Sequence, residues 1–436
     1  MVLLRGTYRG AACTLVRVLL VASKTGYQVR EFYGAARRLG IELTLVTDRC
    51  HILEDPWGDQ AAPVQFEQPE AGIEALAGRG PFDGIVAVGD RPAMVAAKIA
   101  ERLKLRFHPL EAVRAANDKY ATRERFRAAG MNVPAYGFGE PSSYPCVLKP
   151  LHLSASRGVI RANTPQEFVE ARARIRKMTG EDPVLAEDFI PGREFALEGI
   201  VTEGCLQTLA VFDKPDPLDG PFFEETIYVT PSRGPTEAIQ KAAQTAVRAL
   251  GLTDGPVHAE MRVNERGVWM LEAAARPIGG LCSRILRFIA TVRAADDRCL
   301  SSASAGEETG HENLWPVPRR QEILSLEEIL LQHALGHDVS SAQLASGAHG
   351  VMMIPIPGEG VYSGVEGVEK ARQTADIESV EITAKEGQYL APLPEGQSYL
   401  GFLFSRASSQ GRVENALRHA HSCLRFRIAK ALPVVR

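Results

Sequence analysis

The chain has 436 residues, which exceeds one ordinary hydrophobic core, and we expect it to divide into lobes of roughly 150 residues each. Its hydrophobic content of 45% and its charged content of 24% are typical of a globular protein. The 50 basic and 53 acidic residues nearly cancel and leave a formal charge of −3. Because there is neither a basic excess nor an acidic tail, the composition argues against a nucleic-acid partner.

The cysteine pattern and the amino-terminal residues bear on location. Seven scattered cysteines without a Cys-x-x-Cys pair are typical of reduced thiols in a cytoplasm and offer no framework for zinc. The first apolar stretches are interrupted by Arg5, Arg9 and Arg17, so we expect neither a signal peptide nor a membrane span. Residues 1–16 are interpreted as an extension, and the protein is expected to be cytoplasmic with no membrane partner.

The first part of the chain alternates apolar runs with helical stretches. Runs at 17–23, 41–47 and 83–89 have the continuous hydrophobicity of strands buried on both faces, and helical patterns occupy 28–40 and 92–105. This alternation predicts parallel βαβ units in an N-terminal domain over residues 17–110. The loop at 23–26 follows the first strand, at the sheet edge where open α/β folds bind ligands.

Two acidic residues follow strands in this domain. Asp48 closes the second strand, where a dinucleotide fold would have its ribose-binding acid. The turn after the first strand does not read Gly-x-Gly-x-x-Gly, so a nicotinamide enzyme is disfavoured. We interpret Asp48 and Asp90 as strand-end caps or turn residues.

The next segment contains lysines and a loop of small residues. Residues 111–130 predict one helix that carries Lys119, and a strand at 145–149 ends on Lys149. The loop that follows contains Ser154, Ser156 and Gly158, whose amides and hydroxyls could bind phosphate. It is not a Walker loop, and on its own it is more typical of a plain flexible turn. A helix is predicted at 164–178.

Two further strands are predicted around the Pro-Gly turn at residues 191–192. Glu187 and Glu194 bracket this turn, where a ribose hydroxyl and a base recognised by the backbone could lie. The alternative is a surface hairpin with two solvated acids.

A hairpin at 256–262 and 268–276 carries facing acids. Period-two alternation puts His258, Glu260 and Arg262 on one face, and Glu272, Ala274 and Arg276 on one face of the second strand. With a three-residue loop at 265–267, Glu260 lies opposite Glu272. Facing carboxylates repel, and a divalent cation between them would remove the penalty. Their hard oxygens suit Mg²⁺, whereas the alternative is a solvated sheet face. The interleaved arginines and the Arg-Pro-x-Gly-Gly exit at 276–280 favour a site.

These pieces, in this order, resemble the ATP-grasp superfamily and within it the carboxylate–amine ligases, including amino-acid ligases. The resemblance runs from about residue 17 to 287 and depends on the ordered set of motifs. It implies an ATP-grasp fold, α/β and α+β, with an N-terminal parallel βαβ domain and a small C-terminal α+β lobe.

The resemblance also implies roles for residues that would bind the nucleotide. Lys119 and Lys149 match the lysines that meet the phosphates, with Lys214 as a looser match. The mobile phosphate loop corresponds to Ser154, Ser156 and Gly158, the hinge that reads adenine to Glu187, Asp188, Phe189 and Ile190, and the ribose acid to Glu194.

The metal and catalytic roles fall on the hairpin. Glu260 and Glu272 match the Mg²⁺ ligands, and Arg276 matches the arginine that steadies the transferred phosphate; Lys149, Glu272 and Arg276 are the implied catalytic residues. Glu225 and His258 are candidates for contacts with the substrate or with the residues around it.

One position departs from the family pattern. The family usually reads Glu-x-Asn-x-Arg, and this chain has Glu272, Ala274 and Arg276 in that spacing. Ala274 supplies no oxygen, so one contact to the metal is lost. Mg²⁺ commonly retains several waters, and a water can take that place.

The last part of the chain changes character. Residues 296–320 lack periodicity and are interpreted as an insert or linker. Beyond it, residues 325–336 predict a serine-capped helix, strands are predicted at 350–357, 380–384 and 399–404, and a helix at 413–424. His333 and His421 are interpreted as core or surface residues. The predicted domains are 17–110, an ATP-grasp domain at 111–290 with its lid at 135–190, a linker at 291–323 and a C-terminal lobe at 324–436.

The implied function is an ATP-dependent ligation of a carboxylate to an amine through an acyl phosphate. The alternatives are a carboxylase-type ATP-grasp enzyme and a catalytically weak ATP-binding module, which Ala274 favours. The implied cofactors are ATP and Mg²⁺, with Mn²⁺ as the alternative cation. The implied partners are small carboxylate and amine substrates such as amino acids, and a second copy in a homodimer.

Overall fold

The computed structural model describes residues 15–23, 27–48, 61–180, 183–293, 319–396 and 398–430. Most of the predicted extension at 1–16, most of the loop at 23–26 and most of the predicted insert at 296–320 lie outside the described residues. No helix in the described ranges is both long and apolar enough to cross a membrane.

The first sheet is parallel, as predicted, and has four strands where the sequence predicted three. Its order is β3-β2-β1-β4, with β1 at Arg17–Ala22, β2 at Glu42–Thr47, β3 at Ala62–Pro63 and β4 at Gly84–Val88. The connecting helices are α1 (Tyr27–Leu39), α2 (Glu70–Ala77) and α3 (Asp90–Leu103). The apolar runs form strands because both faces of β1 and β4 are buried, with α3 packed on one side.

The prediction of a single helix at 111–130 is wrong. The chain forms α4 (Leu110–Ala116) and α5 (Lys119–Ala128), which are separated at Asn117 and Asp118. The Asp118 carboxylate accepts a hydrogen bond of 2.9 Å from the amide of Ala121 and so caps α5. This cap starts a new helix at Lys119.

An antiparallel four-stranded sheet with one helix forms the unit that we call the lid. Its strands are β5 (Tyr136–Gly137), β6 (Cys146–Pro150), β7 (Ile160–Ala162) and β8 (Val184–Asp188), in the order β5-β8-β6-β7. Helix α6 (Pro165–Thr179) buries Phe168 and Ile175 against Leu148 of β6. The proline in its first turn and the Thr164 cap explain where α6 begins.

The main sheet has eight antiparallel strands in the order β13-β12-β9-β10-β11-β17-β21-β19. These are β9 (Arg193–Thr202), β10 (Cys205–Lys214), β11 (Ile227–Thr230), β12 (Gly255–Asn264), β13 (Gly267–Ala274), β17 (Ala348–Ile354), β19 (Ile377–Ile382) and β21 (Gly401–Ala407). Helix α7 (Thr236–Leu250) packs on it.

The hairpin between β12 and β13 has the predicted pairing but not the predicted loop. Asn264 pairs with Gly267, so the loop holds two residues instead of three. A β-bulge at Glu260/Met261 then shifts the register by one residue, and Glu260 lies opposite Glu272.

The remaining elements complete the second half of the chain. They are a 3-10 helix at Cys282–Ile285, β14 (Arg287–Arg293), β15 (Arg319–Ser325), α8 (Leu326–Ala334), β16 (Gln343–Leu344), β18 (Gly360–Glu366), α9 (Val368–Arg372), β20 (Tyr389–Leu390), α10 (Gln410–Cys423) and β22 (Arg425–Ala429). They contribute the small sheets β15-β14-β16 and β20-β18-β22. Ser325 and Glu328 form a capping box at α8.

The structure differs from two expectations about the second half of the chain. The predicted linker at 291–323 contains the end of β14 and most of β15, which pair with each other. The three strands expected in a C-terminal lobe are β17, β19 and β21, and they extend the main sheet through the pairing of β17 with β11.

Candidate functional site

A cavity of about 300 Å³ lies between the lid and the main sheet. Most of the predicted site residues line it: Lys119, Lys149, Ser154, Ser156, Glu187, Asp188, Phe189, Ile190, Glu194, Glu225, His258, Glu260, Glu272 and Arg276. Gly158 and Lys214 are not among the lining residues. The fold therefore gathers residues that the sequence analysis placed on separate strands and loops.

We call the apolar lining residues near the hinge between β8 and β9 the slot. They are Pro134, Val147, Phe189, Ile190, Leu218, Phe223 and Leu271. The hinge backbone is fixed, because the amides of Asp188 and Phe189 donate to carbonyls at 2.9 and 3.1 Å and the Ile190 carbonyl accepts from Arg262 at 2.8 Å. A flat, mostly apolar group such as a nucleobase fits this slot.

Glu194 lies beside the slot at the start of β9. Its Oε2 accepts from Arg262 Nε at 3.0 Å, and its Oε1 accepts from Lys214 Nζ at 2.9 Å. Both cations keep this nearly buried carboxylate in one orientation. A fixed acceptor at this place suits the predicted contact with a ribose hydroxyl.

A charge cluster joins Lys149 and Glu187 of the lid to Arg123 of α5. Lys149 Nζ donates to Glu187 Oε2 at 2.6 Å, and Arg123 Nε lies 2.8 Å from Glu187 Oε1. Burial alone would raise the pKa of Glu187, but the two cations lower it to about 2. Two cations share one carboxylate, and burial lowers the pKa of Lys149 despite the attraction of Glu187. The cluster therefore presents excess positive charge to the cavity.

Lys119 lies at the amino-terminal end of α5 and contacts the loop that was predicted to bind phosphates. Its Nζ donates to the Leu153 carbonyl at 2.6 Å. Ala155 and Ser156 adopt left-handed backbone angles, each with φ near 55°, which non-glycine residues rarely populate. Gly158 has φ of 67°, and an added Cβ would meet the Pro150 ring at 3.2 Å. This loop is thus held in a strained conformation beside two lysines.

Arg276 forms an ion pair that the sequence analysis missed. Its Nε donates to Asp90 Oδ1 at 2.8 Å, and its terminal nitrogen lies 3.8 Å from Glu272 Oε1. Asp90 does lie in the first turn of α3, but its carboxylate faces the cavity instead of serving only as a cap or turn residue. Burial would raise the pKa of Asp90, and Arg276 reverses that shift and lowers it.

The predicted metal ligands face each other on β12 and β13. Glu260 Oε1 contacts Lys214 Nζ at 3.1 Å, His258 Nε2 at 3.3 Å and the Tyr228 hydroxyl at 3.3 Å. Burial would raise the pKa of Glu260, but Lys214 and His258 hold it well below its ordinary value. Since these contacts use Oε1, the second oxygen of Glu260 and the partly exposed carboxylate of Glu272 can serve a cation. This donor set fits Mg²⁺ with water in its remaining positions.

Lys214 occupies a different place from the one expected. Its ammonium lies among Glu194, Glu225 and Glu260, whose carboxylate oxygens are within 4.8 Å of one another. Burial lowers its pKa, but these acids raise it well above its ordinary value. The lysine is 2% exposed, and its charge neutralises these acids. Lys214 therefore orders the three carboxylates, whereas the sequence analysis predicted that it would contact phosphate.

We call a second set of cavity-lining residues the second compartment. It comprises Glu225, Tyr228, Cys282, Met353 and Tyr399, the last two from the C-terminal part of the chain. Burial and the neighbouring Glu260 raise the pKa of Glu225 to about 7 despite Lys214. Burial also raises the pKa of the Tyr399 phenol well above its ordinary value, so that it stays neutral. The compartment combines one acid with hydroxyl and apolar groups.

The described geometry and the family matches agree on the class of protein. The ATP-grasp domain matches residues 142–285, the ATP-grasp N-terminal domain matches 33–106, and the L-amino acid ligase C-terminal domain 2 matches 352–429. The chain belongs to the ATP-grasp superfamily and is similar to its carboxylate–amine ligases. The resemblance inferred from the sequence and the predicted fold class are confirmed.

Two relatives show which ATP-grasp enzymes the chain resembles in sequence. The chain is 25% identical over 310 residues to the ATP-grasp enzyme fsqD of Aspergillus fumigatus, a match that covers 58% of this chain and 54% of that protein. It is 26% identical over 265 residues to a D-alanine–D-alanine ligase of Alcanivorax borkumensis, covering 58% and 77% respectively. The chain thus spans about half the length of the first of these relatives.

A solved structure is similar along nearly the whole chain. The L-amino acid ligase of Bacillus licheniformis superposes with a TM-score of 0.74 at 25% identity, and the alignment covers 95% of this chain and 99% of that one. The similarity therefore extends beyond the cavity to the C-terminal strands that provide Met353 and border Tyr399.

Proposed function

We propose that this protein joins a carboxylate to an amine, using ATP and releasing ADP and phosphate. One observation carries the proposal: a single cavity is lined by apolar hinge residues, by Lys119, Lys149 and Arg276, by the facing acids Glu260 and Glu272, and by Glu225 and Tyr399. These groups are what a reaction needs in which a phosphate passes from a nucleotide to an acyl substrate. The similarity to amino-acid ligases supports it.

In the first step, an oxygen of the substrate carboxylate attacks the terminal phosphorus, the bond to ADP breaks, and an acyl phosphate forms. Lys119 and Lys149 bind the phosphates, and the excess positive charge around Glu187 offsets charge that develops on the leaving group. Arg276, which pairs with Asp90, binds the transferred phosphate. Glu260 and Glu272 would hold Mg²⁺, which when bound would neutralise negative charge on the phosphates.

In the second step, the amine nitrogen attacks the acyl carbon, phosphate leaves, and the nitrogen loses a proton to give an amide. The acyl phosphate would hydrolyse in open water, so the lid must exclude solvent while the amine enters. Ser154 and Ser156 line the cavity, and the loop that carries them can move together with the lid.

We further propose that the substrates are amino acids. Glu225 provides an acid for an ammonium group, Arg276 a cation for a carboxylate, and Met353 and Tyr399 an apolar wall for a side chain. The cation is Mg²⁺, with Mn²⁺ as the alternative. The domain division at 17–110, 111–290 and 324–436, the homodimer and the cytoplasmic location remain part of this proposal.

The test is phosphate release from ATP and Mg²⁺ across a panel of amino acids, with hydroxylamine added to trap an acyl phosphate. We expect release and a hydroxamate only with particular amino acids. Release that requires bicarbonate would favour a carboxylase-type enzyme. Tight ATP binding without release across the panel would favour an ATP-binding module, the reading that Ala274 supports.

The variant Glu272→Ala tests the site assignment. We expect it to lower the rate at least about 100-fold, because it removes a carboxylate from the phosphate-transfer centre. The control is Glu265→Ala, which changes an exposed acid in the turn of the same hairpin. An unchanged rate in Glu272→Ala would exclude this residue as a metal ligand.

A further inference from the structure

Three adjacent strands of the main sheet place Glu198, His258 and Ala274 in one row. His258 on β12 is the Cα partner of Ala274 on β13 and of Glu198 on β9. Ala274 is the position where the side-chain oxygen is missing, and it is 1% exposed. The imidazole of His258 is therefore the polar group next to the missing oxygen.

The ring of His258 has polar partners on both nitrogens. Nδ1 lies 3.1 Å from Glu198 Oε2, and Nε2 lies 3.3 Å from Glu260 Oε1. Glu198 is fully buried, and both of its oxygens also accept from the amide of Ile278, at 3.2 and 3.1 Å. Glu198 thus fixes the ring and ties it to the segment that follows Arg276.

Glu260 Oε1 has two nitrogen partners from different strands. Lys214 of β10 lies 3.1 Å from it, and this ammonium also contacts Glu194 and Glu225. His258 of β12 lies 3.3 Å from the same oxygen. Without the imidazole, Lys214 would draw the carboxylate toward the acid cluster and away from Glu272.

We propose that His258, oriented by Glu198, is a positioning residue that keeps the Glu260 carboxylate directed toward a divalent cation shared with Glu272. This inference rests on the proposed nucleotide and metal site. The Glu198–His258 pair takes over the ordering that a side chain at position 274 would otherwise provide. Hydrogen-bonded partners of metal ligands typically change metal affinity by 10- to 100-fold when removed.

The experiment measures Mn²⁺ affinity in the presence of ADP, from the electron paramagnetic resonance signal of free Mn²⁺. We expect His258→Ala to weaken Mn²⁺ binding about 10- to 100-fold, with little change in ADP affinity measured without metal. The double variant His258→Ala, Ala274→Asn should recover much of the loss, because an asparagine at 274 supplies an oxygen on the facing strand. His419→Ala, an exposed histidine of α10, is the matched control.

A second variant guards against loss of folding in His258→Ala. Glu198→Gln keeps the size of the side chain but removes its charge, and we expect a weaker loss of Mn²⁺ affinity of about three- to tenfold. Wild-type Mn²⁺ affinity in either folded variant would overturn the inference. Absence of Mn²⁺ binding in the wild-type protein with ADP would overturn it as well.

The binding measurement separates this inference from the proposed ligase activity. Normal Mn²⁺ and ADP binding without phosphate release would contradict the ligase proposal and leave the role of His258 intact. Release with unaltered Mn²⁺ affinity in His258→Ala would contradict the role of His258 alone.

Discussion

At the scale of single residues, the carboxylate of Glu187 pairs with both cations of its charge cluster, Lys149 of the lid and Arg123 of α5. It is 3% exposed and interacts with Arg123 and Lys149, which would be buried cations without a counter-charge if it were removed. Removing one member of a buried ion pair costs about 3–5 kcal/mol, because the remaining charge is left uncompensated. Glu187 therefore contributes to stability as well as to the orientation of Lys149.

At this scale we predict how the stability of the variant Glu187→Gln, relative to wild type, depends on pH. The pKa of Glu187 is lowered from 4.5 to about 2, so its contribution to the free energy of unfolding is complete above pH 4.5 and is lost as the pH falls toward 2. Between pH 6.5 and 3.5 this contribution shrinks by about 1.4 kcal/mol. In urea unfolding, Glu187→Gln should be destabilised by about 3 kcal/mol at pH 6.5, with a smaller difference from wild type at pH 3.5.

The matched control is Glu369→Gln, which removes an exposed i,i+3 pair with Arg372. Its free energy of unfolding should change by less than about 1 kcal/mol. A difference between wild type and Glu187→Gln that stays constant over this pH range would contradict the assigned ion pair.

Some residue contacts were accessible from the sequence and others were not. The facing of Glu260 and Glu272 follows from period-two alternation in a local hairpin. Arg123 meets Glu187 across 64 positions and Asp90 meets Arg276 across 186. A single sequence has no local pattern that encodes such pairs, so Arg123 was missed and Asp90 was interpreted as a cap or turn residue.

At the scale of elements, the pairing of Glu260 with Glu272 in the β12–β13 hairpin was predicted correctly, although two details of the hairpin differ from the prediction and offset each other. The loop is one residue shorter than predicted, and the bulge near Glu260 restores the offset. Alternation predicts both strands, but a bulge depends on backbone packing that alternation does not report. The split between α4 and α5 was also missed, although Asp118 is a favourable cap residue.

A second feature at this scale is the contact between the 391–396 loop and the lid. Arg174 of α6 makes two hydrogen bonds to the Glu395 carboxylate, at 2.6 and 2.8 Å. The amide of Gly158 donates to the Pro394 carbonyl at 3.0 Å, and Arg157 donates to the Glu395 carbonyl at 3.3 Å. These contacts hold the loop that contains Arg157 and Gly158, and helix α6, against the C-terminal part of the chain.

We expect Glu395→Ala to weaken ATP binding up to about fivefold, because an exposed ion pair contributes at most about 1 kcal/mol to the closed lid. Isothermal titration calorimetry with ATP measures the effect. The control is Glu386→Ala, an exposed acid in the preceding turn of the same region. Equal ATP affinities for the two variants would show that this contact does not stabilise the closed lid.

At the scale of the whole molecule, the main sheet connects the site to the C-terminal part of the chain. β11 carries Tyr228 at the cavity and pairs with β17, which carries Met353. The sequence predicted the strands β17, β19 and β21 but assigned them to a separate lobe, and it did not predict β11. Sheet order depends on long-range pairing that apolar patterns do not specify. A continuous sheet couples the stability of the C-terminal strands to the binding cavity.

Gly350 of β17 tests this coupling. It pairs with Val229 of β11, and an added Cβ would lie 2.4 Å from Val413 Cγ1 of α10 and 3.2 Å from the Tyr228 carbonyl. Gly350→Ala should therefore lower the free energy of unfolding by about 1–3 kcal/mol through overpacking. The control is Gly411→Ala in α10, where an added Cβ meets nothing within 4 Å and alanine is the better helix former.

The measurement is urea unfolding followed in parallel by far-ultraviolet circular dichroism and by binding of a fluorescent ATP analogue. In Gly350→Ala both signals should be lost together at a lower urea concentration than in wild type, because one sheet carries the packing defect and the cavity. Gly411→Ala should unfold at or slightly above the wild-type urea concentration. If Gly350→Ala lost secondary structure early but kept nucleotide binding to the wild-type midpoint, the C-terminal strands would be an independent unit.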